Sequence, residues 1–481
     1  MQKLAVSLMM LCGASIYNPS IAQTTIAVVS DPHVMASSLL EPGAETQSAW
    51  TTYYAGQRKM LQQSVALFTQ FVNDVKSSAD IVLVTGDLTK DGEEASHEFV
   101  RTQLATLTAA GKKVFVIPGN HDFGEEGNHT TFKADGTKKN APALSASQFA
   151  AFYSGYGYGT GSTVDPNGSL SYVAEPVKGL VLLAIDSHTG SIPAVTLTWL
   201  CNQANTASAQ GKQVIAMMHH PLIEHFKGAN DLITDYTVSN PNAIRDALIG
   251  AGVKVILTGH IHASDIAYDW NDVEANGIYD INTGSVISYP CDYRMLTLSQ
   301  DKQTLDVATS SLNPAGCEEW LHDRLVSIAK TKMNEKAGTL ASYAATYIND
   351  LAVLAADLFI LHAKGDENSA ANKTERDEIE STYTRYKANP IYSAVFVYGN
   401  ISDASVYSIL DNKSNYGDTH ERQTADRTLS ISLSGDREKT GINTIATENE
   451  NRQTIYTLQG KKADDLHRGL YIQNGKKNII K

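Results

Sequence analysis

Between residues 26 and 312 the chain alternates short apolar, β-rich runs with segments of helical spacing, and five of those runs end in residues that ligate metals. "TIAVVSDPH" ends in Asp31 and His33, "DIVLVTGD" in Asp87, and "KKVFVIPGNHD" in Asn120, His121 and Asp122. "KQVIAMMHH" ends in His219 and His220, and "VKVILTGHIH" in His260 and His262. Helical spacing fills the intervals at 57–77, 94–110, 195–209 and 241–250; in the first it is carried by Met60, Leu61, Val65, Leu67, Phe68, Phe71, Val72 and Val75. Beyond residue 264 the helices stop, and "DIAYDW", "GIYDINTG" and "YRMLTLS" read as hairpin strands. Alternation followed by strands predicts a layered α/β core with mixed sheets. Where such strands run parallel, their carboxyl ends share one edge, and α/β sheets build their sites there.

The spacing of the polar residues carries chemistry. On an extended segment, side chains two apart point to the same side, so Asp31 with His33, and His260 with His262, are expected to reach one cavity. Carboxylate oxygen and imidazole nitrogen, with no thiolate offered, suit zinc, manganese or iron. Asp87, alone after Gly86, suits a bridging carboxylate. A single aspartate at a strand end is ordinarily a turn residue or helix cap, and a single histidine ordinarily a satisfied polar group. Five such clusters in this order outweigh those readings.

The series Asp31-Pro32-His33, Gly86-Asp87, Gly119-Asn120-His121-Asp122, His219 and Gly259-His260-Ile261-His262 resembles the calcineurin-like metallophosphoesterase superfamily. The resemblance covers residues 24–312. It implies a four-layer α/β/β/α sandwich and a centre of two divalent or trivalent metal ions, manganese, iron or zinc. It also implies that Asp31, His33 and His262 hold one ion, that Asp87 bridges, and that Asn120, His219 and His260 hold the second. His121 is then the phosphate-contacting residue and general acid, with either Asp91 or Asp122 orienting it, so His121 and Asp122 stand as the catalytic candidates. His220 becomes pocket lining. The implied reaction is hydrolysis of a small phosphomonoester or phosphodiester by a metal-bridged hydroxide. Alternatives are a cyclic-nucleotide or glycerophosphodiester phosphodiesterase, and a surface-binding protein that keeps the metals without turnover. Where the purple acid phosphatase branch has a tyrosine three residues after the bridging aspartate, this chain has Lys90, so no iron–tyrosinate colour is expected. "GDLTKDGEEASHEF" is locally similar to the class III cyclic-nucleotide phosphodiesterases and related exported branches.

Other residues carry weaker signals. His188 and His225 follow core strands and are candidates for the pocket rim. Arg58 opens a helix and reads as a solvated residue, with contact to phosphate as the alternative, and the aromatic-glycine run 152–161 reads as a loop. A formal net charge of −13 argues against electrostatic binding of nucleic acid or an anionic membrane, whereas bound metal cations still let an acidic protein receive an anionic substrate.

The first 22 residues, "MQKLAVSLMMLCGASIYNPSIA", have the basic, apolar and small-residue order of a secretory signal. No other apolar run is read as long enough to span a membrane. Residues 23–312 form the expected catalytic domain, 313–410 a separate helical region, 411–439 a polar linker and 440–481 a small β tail. Within the helical region, 365–385 reads as a loop or a solvated helix face. The tail carries Ile455-Tyr456, Leu458, Gly460, Gly469-Leu470-Tyr471-Ile472, Asn474-Gly475 and Lys481. It resembles the C-terminal sorting domains of the type IX secretion machinery, which implies a periplasmic, outer-membrane-surface or extracellular location. Cys201, Cys291 and Cys317 remain after the leader; Cys291 and Cys317 are candidates for pairing in an oxidising compartment.

Overall fold

The computed structural model describes residues 23–124, 127–271, 276–338, 341–398, 401–410 and 425–433, and the strands Tyr456–Thr457, Gly469–Gln473 and Lys476–Ile480. Two sheets organise the chain up to Gly435. The first has six strands in the order Thr428–Ser432, Thr304–Ser311, Asp292–Leu298, Thr24–Val29, Ile81–Thr85 and Lys113–Ile117. Its last three run parallel and the others antiparallel. The second has seven, in the order Ile266–Asn271, Asn276–Asn282, Val255–Thr258, Gln213–Met218, Leu180–Ile185, Tyr172–Val177 and Ser162–Val164. Its middle four are parallel and its edges antiparallel.

Side-chain alternation sorts these strands into layers, because successive residues of a strand face opposite ways. Ile26, Val28, Ile81 and Leu83 of the first sheet pack against Leu182, Ala184, Met217 and Leu257 of the second. The intervening Ala27, Val29, Val82 and Val84 pack against Leu67, Phe68 and Phe71 of helix Ser64–Ser78 and Leu104 of helix Glu94–Ala109. On the far side, Leu183, Ile185, Ala216 and Met218 pack against Leu200 and Ala204 of helix Ala194–Ala209 and Leu248 of helix Pro241–Gly250. The result is the expected α/β/β/α sandwich. Continuous apolar strands such as "LVLLAI" are what burial on both faces requires.

The structure departs from the sequence reading in several places. The helix expected from residue 57 starts at Ser64 after a short turn at Leu61–Gln63, because the Met60 amide hydrogen-bonds Ile287 carbonyl oxygen at 2.8 Å instead of entering a helix. Arg58 therefore lies in a loop. The aromatic run is partly core: Tyr153 and Tyr156 are buried in the cluster that contains Phe149. The helical region, helices Cys317–Ala337, Ala341–Lys364, Lys373–Lys387, Pro390–Tyr398 and Asp403–Leu410, belongs to the same compact unit as the sheets rather than standing apart. Its third helix accounts for most of the polar stretch 365–385. Residues 344–364 are long and apolar enough to cross a membrane, contrary to the sequence reading; in the fold, Leu351, Leu354, Leu358 and Leu361 pack against Ile379, Tyr383 and Val406.

The segment read as a linker is also corrected in part. Thr428–Ser432 pairs with Thr304–Ser311 as an edge strand, since Ile431 alternates into the core between exposed serines. Cys201, Cys291 and Cys317 are free thiols, the latter two buried in one hydrophobic cluster. From Asp436 onward the chain is a second unit, whose described strands form a three-stranded antiparallel sheet. The leader and the turn Asn474-Gly475 lie outside the described residues.

Candidate metal centre

The ligand-type residues do not sit on the strands but in the turns after them. Asp31, His33, Asp87, His260 and His262 all have positive φ, at 51°, 35°, 51°, 74° and 61°. Left-handed backbone costs a non-glycine residue of order 1–3 kcal/mol and persists where the surroundings impose it. Here the turns are laced together: the Asp31 amide bonds Gly86 carbonyl oxygen at 3.1 Å and the His33 amide bonds that of Asp87 at 2.9 Å. Two motif glycines allow the close approach. A Cβ on Gly119 would collide with Asp87, and one on Gly259 with Ser30.

Each carboxylate spends one oxygen on this scaffold and leaves the other for the centre. Asp31 Oδ2 accepts from Ser30 Oγ at 2.5 Å and from the His260 amide at 2.8 Å. Its Oδ1 is buried without a hydrogen-bond partner, 3.3 Å from His262 Nε2 and 3.6 Å from His33 Nε2. Asp87 Oδ1 accepts from the His121 amide at 2.8 Å, while Oδ2 lies 3.3 Å from His33 Nε2 and 3.3 Å from His219 Nε2. His33 Nε2 and His262 Nε2 face each other at 3.2 Å, and His219 Nε2 lies 3.1 Å from Asn120 Oδ1. Asp31, His33 and His262 thus offer three donor atoms within 4.8 Å of one another, and Asp87, His219 and His260 another three. An orphaned buried carboxylate oxygen and imidazole nitrogens turned toward one another fit a metal ion. Burial, then the nearby Lys59 charge, push His33 down to about 3, so it is a neutral donor. At His219 burial acts downward, but the Asp87 carboxylate outweighs it and holds the ring up at about 9.

Comparison with known proteins decides the family. The chain matches the family described as calcineurin-like phosphoesterase over residues 24–264, just over half its length. It belongs to the calcineurin-like phosphoesterase family. Among curated proteins none matches. Among solved structures, a dimetal phosphatase from Danio rerio is 15% identical with a TM-score of 0.43, over 60% of this chain and 95% of that one. The purple acid phosphatase PPD1 from yellow lupin is 12% identical with a TM-score of 0.37, over 60% of this chain and 52% of that one. Vps29 from Entamoeba histolytica, solved with zinc, is 13% identical with a TM-score of 0.25, over 61% of this chain and 95% of that one.

Around this candidate metal centre the structure separates the remaining residues. His121 lines the cavity, with Nδ1 2.8 Å from Asp91 Oδ1 and its ring edge-on to His33. Asp91, not Asp122, is the carboxylate on that ring. Asp122 is fully buried, and its carboxylate accepts from the amides of Leu88, Thr89 and Gly119 and from Thr89 Oγ1, at 2.9–3.1 Å. It clips the Asp87 turn to the Asn120 turn. His220 is 2% exposed and packs tilted against His260, ring centroids 4.3 Å apart, so it buttresses that ring rather than lining the pocket. His188 is held by Asp186 at 2.7 Å, and His225 is buried with Nδ1 2.6 Å from Asp265. Lys90, in the position of the purple-acid-phosphatase tyrosine, is buried and pairs with Asp91 and Glu93, both at 2.6 Å.

Two cations line the site, Lys59, which carries no separate signal in the sequence, and Arg58, which is not the solvated helix residue its sequence suggests. Lys59 is buried with Nζ 3.4 Å from His33 Nδ1, and Arg58 lies over the Phe359 ring at 5.1 Å; both line the cavity of about 280 Å³ that holds His33, Asp87, His121 and His262. Their one sequence signal is an Arg-Lys pair in an otherwise uncharged stretch, 46–73.

Proposed function

We propose that this chain is an exported, dinuclear-metal phosphoesterase that hydrolyses small phosphomonoesters or phosphodiesters. The observation that carries the reading is the placement of Asp87 Oδ2, 3.3 Å from a histidine nitrogen of each ligand group, as a carboxylate shared by two ions must be. Asp31, His33 and His262 would hold one ion, Asn120, His219 and His260 the other. When bound, the two ions supply positive charge to the phosphoryl oxygens and the hydrolytic nucleophile. The chain's own groups do the rest. Lys59 and Arg58 add positive charge on the wall beside His33 and orient the anionic ester. His121, backed by Asp91, stabilises developing charge or hands a proton to the leaving oxygen. Export is supported by the leader-like first 22 residues and the sorting-like tail; fractionation of the producing cell tests it.

The deciding experiment strips the full chain with chelator and reloads it with manganese, zinc or iron. Hydrolysis of bis-(p-nitrophenyl) phosphate is then compared with that of p-nitrophenyl phosphate. Metal-dependent turnover is expected, and the ratio of the two rates identifies the ester class. Two bound ions without turnover on either ester would overturn the reading and favour a metal-containing binding protein.

A further inference from the structure

A third group of potential ligands lies outside this centre, where the helical region meets the loop after the His260/His262 turn. Asp265 follows His262 by three residues; His362 stands in the last turn of helix Ala341–Lys364, and Glu367 lies in the turn beyond it. His362 Nδ1 is 2.9 Å from Glu367 Oε1 and 3.4 Å from Asp265 Oδ2. All three residues are buried, at 3%, 3% and 1% exposure for Asp265, His362 and Glu367, and one donor atom from each lies within 4.8 Å of the others.

The cluster is short of positive charge. Glu367 Oε2 is buried with no hydrogen-bond partner, although its sister oxygen is turned onto His362. Asp426 is a further buried carboxylate at this junction, held by the amides of Ile266 and Asp366, and the imidazole that faces the group from behind is His225, with Nδ1 2.6 Å from Asp265 Oδ1. Arg294 gives its hydrogen bonds to Thr309 and to the backbone oxygens of Asp426, Asp265 and Asn282, and Arg427 gives its own to Asp292, Ser311 and the Lys364 carbonyl oxygen, rather than to these carboxylates. Carboxylates buried without a cation are costly, and metal coordination is one of the few ways a fold retains them.

We propose that Asp265, His362 and Glu367 form a third metal site, distinct from the dinuclear centre, for a divalent first-row transition ion. Donor separations of 2.9 and 3.4 Å match neighbouring ligands that each stand about 2.0–2.2 Å from one ion. A set of two carboxylates and one imidazole without thiolate selects zinc, manganese or iron. Glu367 binding through both oxygens would satisfy Oε2. His225 Nδ1, 2.6 Å from Asp265 Oδ1, orients that ligand from behind. The role is structural. The junction is already tight, with the Ser264 amide on Ala363 carbonyl oxygen at 2.9 Å and the Ile266 amide on Asp426 Oδ1 at 2.9 Å. An ion here would tie the helical region to the loop that carries His260 and His262.

The test counts ions and does not depend on turnover. The full chain is stripped with chelator, dialysed against zinc and then against metal-free buffer, and its zinc is measured by mass spectrometry. Three ions per chain are expected for the wild type, and two for Glu367→Gln, which keeps the shape of the side chain, and for His362→Ala. An anomalous difference map of the zinc-loaded wild type should show a peak between His362 and Glu367, which covers the case of variants that fail to fold. No peak there, or three ions retained by Glu367→Gln, overturns the proposal. An inactive protein with that peak leaves this site standing and removes only the phosphoesterase reading.

Discussion

His121 Nδ1 lies 2.8 Å from Asp91 Oδ1, and the other oxygen of the same carboxylate accepts from Tyr53 Oη at 2.9 Å and from Lys90 Nζ at 2.6 Å. Asp91 is thus fixed on both oxygens, and its one contact toward the cavity is the His121 ring. Burial would raise its carboxyl, but His121 and Lys90 together hold it well below the ordinary carboxylate range. The ring is thereby presented to the cavity through Nε2. His121→Ala should lower kcat by about 100- to 10,000-fold, the usual worth of a positioned acid or base, with bound metal unchanged. Asp91→Asn should lower it by about 10- to 100-fold through loss of orientation. Metal analysis beside steady-state kinetics checks both; loss of metal in His121→Ala would make it a ligand instead.

Lys59 and Arg58 set the charge of the cavity wall. Hydrogen bonds to charged groups are worth about 1.5–3 kcal/mol, so Lys59→Met should reduce kcat/KM for a phosphoester by about 10- to 100-fold. Inorganic phosphate should inhibit that variant less strongly by a similar factor. Equal phosphate inhibition of the variant and the wild type would leave Lys59 with a packing role beside His33.

Asp122 distinguishes a proton-transfer role from a clip. With three backbone amides and one hydroxyl on its carboxylate, Asp122→Ala leaves several buried donors unpaired and should cost about 3–5 kcal/mol of stability and weaken metal retention. Chemical denaturation and metal titration measure this. A variant of full stability and metal content but low kcat would return Asp122 to the catalytic set.

Acid stability should depend on His97. Its Nδ1 is 2.8 Å from Tyr153 Oη and its Nε2 3.0 Å from the Asp122 carbonyl oxygen, and burial pushes it down from 6.5 to about 4. The folded chain keeps this ring neutral while the unfolded chain protonates it. Its contribution is therefore complete above pH 6.5 and is lost as pH falls from there toward 4, by at most about 3 kcal/mol. His97→Gln should flatten the stability–pH curve across that window in denaturation experiments; an unchanged slope would refute it.

What was legible in the sequence is what depends on local pattern. Strand runs such as "IVLV" and "LVLLAI" announce themselves because burial on both faces leaves no polar residue in them. Asp31, His33, Asp87, Asn120, His219, His260 and His262 stand out because each follows such a run, and the structure brings them together as two adjoining groups, Asp31, His33 and His262 in one and Asp87, His219 and His260 in the other, with Asn120 on His219. Side chains two apart converge here through left-handed turns, not through extended backbone. Those turns exist because neighbouring strand ends hydrogen-bond one another, as the Asp31 amide does with Gly86, 55 residues away.

The amino-acid order by itself determined the layers, the ligand types and their place at the strand ends, since hydrophobic periodicity and donor chemistry are local properties. Tertiary structure alone decided that Asp91 rather than Asp122 meets His121, that Lys59 and Arg58 enter the cavity, and that Thr428–Ser432 completes a sheet begun at residue 24. It alone brought Asp265 to His362 and Glu367. Each of these rests on contacts between segments far apart in the chain, whose meeting is set by the packing of whole layers and leaves no periodic trace in the sequence.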